Sequence, residues 1–185
     1  MTTTDMALCL TSARLVLRLP AVSDAPFFCR LLNDPDYIEN IRDSGIRTTE
    51  EAAEYIEALM LANWHETGFG MFVVTGRETS RPLGVCGLID RAGLDDIDLG
   101  FAFLPEARGQ GFAQEAAEAC IQWGRTEKQL PRLAAIARFS NAPSLSLLAR
   151  LGFEPAGSYR PEGETEVLSL MMLTLSATSV SASRT

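Results

Sequence analysis

Residues 101–113 read Phe-Ala-Phe-Leu-Pro-Glu-Ala-Arg-Gly-Gln-Gly-Phe-Ala, and the reading of this stretch decides the fold. An apolar run expected to be a strand from Ile97 to Leu104 stops at Pro105, and a helix is expected from Gly111 to about Gln122 through an Ala- and Glu-rich segment. The first N–H groups of a helix have no intrahelical acceptor and lie at the positive end of its dipole, while glycine lets an anion approach the backbone. Several charge-assisted hydrogen bonds, each about 1.5–3 kcal/mol, would hold a diphosphate there without a lysine. The same residues also suit a glycine-rich turn with no ligand, so the stretch alone leaves both readings open.

Working outward, Arg14 to Leu19 alternates with the two-residue period of a strand. Ser23 and Asp24 precede Pro26 and open a helix to about Asn33. Thr48 and Glu51 form a capping box for a second helix that stops at Gly68. Met71 to Thr75 and Leu83 to Asp90 read as an antiparallel hairpin. Beyond the central helix come a strand at Arg132 to Arg138, a short helix at Ala142 to Leu151 closed by Gly152, and strands at Phe153 to Tyr159 and Glu166 to Leu175. The order is mixed α/β, with no internal repeat and no regular βαβ alternation. Residues 1–10 read as an N-terminal extension, 11–175 as one domain and 176–185 as a loose polar tail.

The chain has 185 residues, 46% hydrophobic and 22% charged, enough for one domain with a substantial core. A formal net charge of −8 argues against direct binding to nucleic-acid phosphates or anionic membranes and makes a cationic partner easier to accommodate. Cys9, Cys29, Cys86 and Cys120 are dispersed without a histidine cluster, so they are expected as buried free thiols and no metal site is expected. No leader pattern and no apolar run of about 20 residues is present, which makes the cytoplasm the expected compartment.

Arg108-Gly109-Gln110-Gly111-Phe112-Ala113 resembles the R/Q-x-x-G-x-G/A acetyl-coenzyme A signature of the GNAT superfamily. Asp98-Leu99-Gly100-Phe101 is similar to the E-I-G-Y strand of its RimJ/RimL-like branch, which acetylates ribosomal-protein N-termini. Asn141-Ala142-Pro143-Ser144 is similar to that branch's N-x-x-S element, Leu151-Gly152-Phe153 to its L-G-F, and Thr11 to Arg18 to its T-x-R-L-x-L-R strand. The resemblance covers about residues 11 to 175. It implies a central, mostly antiparallel sheet flanked by helices, with its fourth and fifth strands parallel and splayed and the fourth often bulged. Acetyl-coenzyme A would lie between them as acetyl donor, its pantetheine on backbone groups near Phe101 and Phe103 and its pyrophosphate on Arg108, Gly109, Gln110, Gly111, Phe112 and Ala113. Asn141 would meet the pantetheine arm or an ordered water.

Many GNAT enzymes protonate the departing thiolate with a tyrosine four residues before the glycine of the G-F pair, where this chain has Leu148. By resemblance to the RimL-like branch, Ser144 inherits that role, with a helix cap or a simple packing polar group as its alternatives. Asp98 stands where the branch has a glutamate that draws a proton from the amine through water; its alternative is a surface carboxylate beside Asp95 and Asp96. His65 reads as an exposed polar residue, and Trp64 and Phe69 suit either the acceptor cleft or helix packing.

The expected activity is N-acetyl transfer to an amine in a ternary complex, by a monomer or homodimer, with a protein or peptide N-terminal α-amine as first choice. Only a neutral amine attacks a thioester, and at pH 7 an α-amine costs roughly 1–1.4 kcal/mol to deprotonate against about 4.6 for lysine. A small-molecule amine and a non-catalytic acyl-coenzyme A-binding protein are the alternatives. A Rossmann nucleotide site fails because Gln114 breaks the third glycine position. Acceptor choice is expected from the helix–helix loop, roughly Pro35 to Thr48, and the final strand loop near Pro161 to Thr165.

Overall fold

The computed structural model describes residues 8–175. Eight strands form one sheet: β1 Cys9–Thr11, β2 Leu15–Arg18, β3 Gly70–Gly76, β4 Pro82–Ile89, β5 Asp98–Phe103, β6 Arg132–Ala137, β7 Glu154–Tyr159 and β8 Leu168–Thr174. Their spatial order is β1-β2-β3-β4-β5-β6-β8-β7. Every neighbouring pair is antiparallel except β5 and β6. That parallel pair needs a crossover, which the 15-residue helix α5, Phe112–Thr126 in chain position, supplies. Cys9 and Leu10, read in the sequence as extension, pair with β2 and so join the sheet. The tail expected over 176–185 lies outside the described residues.

The helices before α5 are α1 Ala25–Leu32, α2 Pro35–Asn40, α3 Thr49–Tyr55 and α4 Ala62–Thr67, and α6 Ala142–Arg150 follows it. The expected second helix is present as α3 and α4 joined through a π-helical stretch, Ile56–Leu61. Its capping box forms as read, with Thr48 accepting from the Glu51 N–H and Glu51 accepting from the Thr48 N–H. The segment expected as a loop from Pro35 contains α2, because Asp34 accepts the Tyr37 N–H as N-cap and Pro35 occupies the first turn.

The two-residue period of the strands divides the core between the two faces. On one face Phe72, Val74, Leu88, Leu99 and Phe103 pack under α5 through Ala116, Ala117 and Cys120. On the other Val73 and Val85 meet Phe28, Leu31, Ala52 and Ile56 of α1, α3 and the π-helical stretch. Small residues on α5 bring that helix close to the sheet, and this sets where its N-terminus emerges.

Candidate active site

Strands β5 and β6 share one registered pair, Asp98 opposite Ala134, and the Ala134 N–H donates to the Ile97 carbonyl at 2.9 Å. Beyond that rung the strands diverge. The bulge expected in β5 is absent: its ladder with β4 keeps one register from Gly84↔Phe103 to Ile89↔Asp98, so divergence alone opens the sheet. The Leu104 N–H turns toward the Leu83 carbonyl, whereas the Ile97 carbonyl turns toward β6. Alternation along an antiparallel ladder therefore directs the backbone groups of Phe101 and Phe103 into the opening. A cleft of about 1590 Å³ runs through it, lined among others by Asp98, Phe101, Phe103, Gly109, Asn141 and Ser144.

At one end of the cleft lies the turn singled out in the sequence. Gly109 and Gly111 have φ of +72° and +80°, a left-handed backbone that side chains disfavour. Among the described residues, the N–H groups of Gly109 through Gln114 donate to no acceptor, and the first paired helical amide is that of Glu115, to Gly111. This row of unpaired donors at the start of a four-turn helix is an anion cradle.

The Arg108 side chain has partners other than the expected phosphate. Its Nε donates to the Phe103 carbonyl at 2.9 Å, and its two terminal nitrogens pair with Asp34 and Asp36. Arg108 thus ties the end of β5 to α2, and it removes the Phe103 carbonyl from the free edge, leaving that residue's N–H.

Asp98 is 1% exposed, which corrects the surface alternative. Arg91 Nε and Nη2 both donate to its Oδ2, at 3.0 and 2.8 Å. Oδ1 has no hydrogen-bond partner among the described residues. Burial pushes the carboxyl up to about 6, against the opposing pull of Arg91 and of the Ile136 backbone amide. That amide favours the charged form without reaching hydrogen-bond geometry to Oδ1. A carboxylate so raised is a stronger base than an exposed one, and its Oδ1 is a buried acceptor without a donor among the described residues.

Asn141 is the N-cap of α6, its Oδ1 accepting the Ser144 N–H at 3.1 Å. The cap considered for Ser144 therefore belongs to Asn141. The half-buried Ser144 lines the cleft, and its hydroxyl has no partner among the described residues. Leu148, on α6, is buried in the core.

Asp36 to Asp43, and Pro161, Glu162 and Glu164, also line the cleft, within the two segments expected to choose the acceptor. Tyr37, not singled out in the sequence, faces it with a hydroxyl pushed up to about 12 by burial and then by nearby Tyr55, so it stays a neutral donor. Arg91 was missed too, although an arginine seven residues before Asp98 in a β-loop was a readable charge partner. Trp64 and Phe69 stack with Trp123 in the core, outside the cleft, and His65 is exposed. Of the four cysteines, Cys86 and Cys120 are buried, Cys29 is half-buried and Cys9 is exposed, so burial of all four does not hold.

The uncharacterized N-acetyltransferase p20 of Bacillus licheniformis is 28% identical over 153 residues, 82% of this chain and 85% of p20. The crystal structure of a GNAT-family acetyltransferase from Bacillus anthracis superposes with a TM-score of 0.76 at 22% identity, covering 90% of this chain and 98% of that one. RimL, a ribosomal L7/L12 alpha-N-protein acetyltransferase in complex with coenzyme A, also gives 0.76, at 16% identity over 91% and 98%. No helix among the described residues is long and apolar enough to cross a membrane. Residues 14–154 match the acetyltransferase (GNAT) domain model, and with the splayed parallel pair and the amide-lined turn in the places that fold requires, the chain belongs to the GNAT family of acetyltransferases.

Proposed function

We propose that this protein transfers the acetyl group of acetyl-coenzyme A directly to the α-amine of a protein or peptide N-terminus, both substrates being held at once. The observation that carries the donor half is the run of unpaired amides from Gly109 to Gln114 at the mouth of the split between β5 and β6. Amides of Gly109, Gln110, Gly111, Phe112 and Ala113 fit the pyrophosphate, the backbone edge at Phe101 and the Phe103 N–H fit the pantetheine, and Asn141 keeps its amide nitrogen for the same arm. Arg108 shapes the loop from behind.

The acceptor half rests on Asp98 and Ser144 lining one cleft. Asp98 receives the amine proton through a water, the amine attacks the thioester carbonyl, and the carbon–sulfur bond breaks as the Ser144 hydroxyl protonates the thiolate. Ser144 then regains a proton from solvent and Asp98 releases the amine's proton to it, so both return to their starting state. Holding both reactants in one cleft supplies the proximity that direct transfer needs. An α-amine suits a carboxylate near 6 better than lysine does, since far less of the barrier goes to deprotonation. RimL, which acts on the α-amine of a ribosomal protein, shares the fold and points the same way.

The test compares thiol release from acetyl-coenzyme A with two peptide sets, one with free N-termini and blocked lysines, the other reversed. Preference for the first set supports the reading, and clear preference for the lysine set ends it.

A further inference from the structure

We propose that Arg14, on the turn before β2, is a positioning residue that keeps the amide cradle facing the donor's diphosphate. This rests on the reading that Gly109 to Ala113 hold that diphosphate. Arg14 lies 96 and 101 residues away in sequence from the groups it grips. Its Nη1 donates to the Gln110 carbonyl at 3.0 Å, its Nε to Glu115 Oε2 at 2.7 Å and its backbone N–H to Glu115 Oε1 at 2.7 Å. The guanidinium lies over the Phe112 ring, 4.6 Å from its centroid.

An anion cradle works only while its N–H groups, and not its carbonyls, face the ligand. Gln110 sits between two left-handed glycines, where the backbone has the fewest steric restraints on turning over. In a trans peptide the carbonyl and the following N–H point in opposite directions. Fixing the Gln110 carbonyl against Arg14 therefore aims the Gly111 N–H away from Arg14.

Arg14 also deals with an opposing charge. Glu115 sits in the first turn of α5, where its carboxylate would repel incoming phosphates. The guanidinium neutralises it, and Ser12 Oγ donates to the same carboxylate at 2.7 Å. Burial alone would raise the Glu115 carboxyl, but hydrogen bonds from Ser12 and Arg14 hold it below its ordinary value, so it stays charged and gripped. Arg14 Nη2 is 3.4 Å from where a Gly111 Cβ would stand and has no acceptor among the described residues.

The test measures calorimetric Kd values for coenzyme A and for inorganic pyrophosphate, together with transfer from S-acetylpantetheine, which lacks the diphosphate. In Arg14→Gln both Kd values should rise in parallel, by about tenfold or more, while kcat/KM with S-acetylpantetheine stays within about twofold. Arg14→Lys should recover only part of the affinity, since one ammonium cannot hold both Glu115 and the Gln110 carbonyl. Equal losses with S-acetylpantetheine and acetyl-coenzyme A would make Arg14 a general support of the fold and overturn the proposal. Unchanged Kd values in Arg14→Gln would overturn it as well. Failure of pyrophosphate to compete with coenzyme A on the wild-type protein would instead remove the cradle reading, and this proposal with it.

Discussion

Arg91 sends two hydrogen bonds to one oxygen of Asp98 and none to the other, so a carboxylate 1% exposed keeps a free oxygen beside the only rung that joins β5 to β6 among the described residues. This asymmetry leaves the two oxygens unequal: Oδ2 is anchored by Arg91, and Oδ1 is a buried acceptor with no hydrogen-bond donor among the described residues.

The proposed reaction makes the activity pH-dependent. With ionised Asp98 as the proposed base, kcat/KM should fall as pH drops through about 6, and Asp98→Asn should lower kcat about 100-fold at pH 8. Stability moves the other way. A carboxyl raised from 3.8 to about 6 favours the fold below about 3.8, and that contribution, about 3 kcal/mol, is lost as pH rises to about 6. At pH 8 Asp98→Asn should therefore melt no lower than wild type, since the part-exposed Arg91 returns to water. A thermal melt showing a large destabilisation at pH 8 that disappears at pH 4 would refute this sign.

Gly111 has a left-handed backbone at the head of α5. Gly111→Val should strain that position by about 1–2 kcal/mol and place methyl groups among the unpaired amides, weakening coenzyme A binding at least about tenfold in a folded protein. Calorimetry giving wild-type affinity would place the phosphates elsewhere.

Arg108 should matter more for order than for charge. Arg108→Gln leaves Asp34, 8% exposed, without its cation, and should destabilise by about 3 kcal/mol with a raised acceptor KM, because α2 loses its tie to β5. Asp36 is largely exposed, and Asp36→Asn should cost under about 1 kcal/mol. Equal effects from Arg108→Gln and Asp36→Asn in chemical denaturation would contradict the assignment to Asp34.

Ser144 and its neighbour Asn141 should fail differently. Ser144→Ala should lower kcat about 10- to 100-fold and spare the coenzyme A Kd. Asn141→Ala should lose the cap of α6, about 1 kcal/mol of stability. If turnover in Ser144→Ala matches wild type with the best acceptor, water or another group protonates the thiolate.

Local chemistry determined much of this protein without reference to its fold. Alternation marked the strands, Thr48 with Glu51 capped a helix, and Phe101 to Ala113 carried a strand end, two left-handed glycines and a helix start within thirteen residues. These signals act over a few residues, so they are legible in order along the chain. Even α2 was written locally, in Asp34-Pro35, although that signal was read as a loop. What tertiary structure alone decided is which charges meet. Arg108 is 74 residues from Asp34, and Arg14 is 101 from Glu115. No periodicity encodes such pairings, because they follow from how α5 and α2 dock on the sheet. Burial of Asp98 is of the same kind: beside Asp95 and Asp96 the sequence leaves open a surface carboxylate or the branch's strand acid, and the enclosure by β6 and Arg91 is what raises its pKa and leaves Oδ1 without a donor among the described residues.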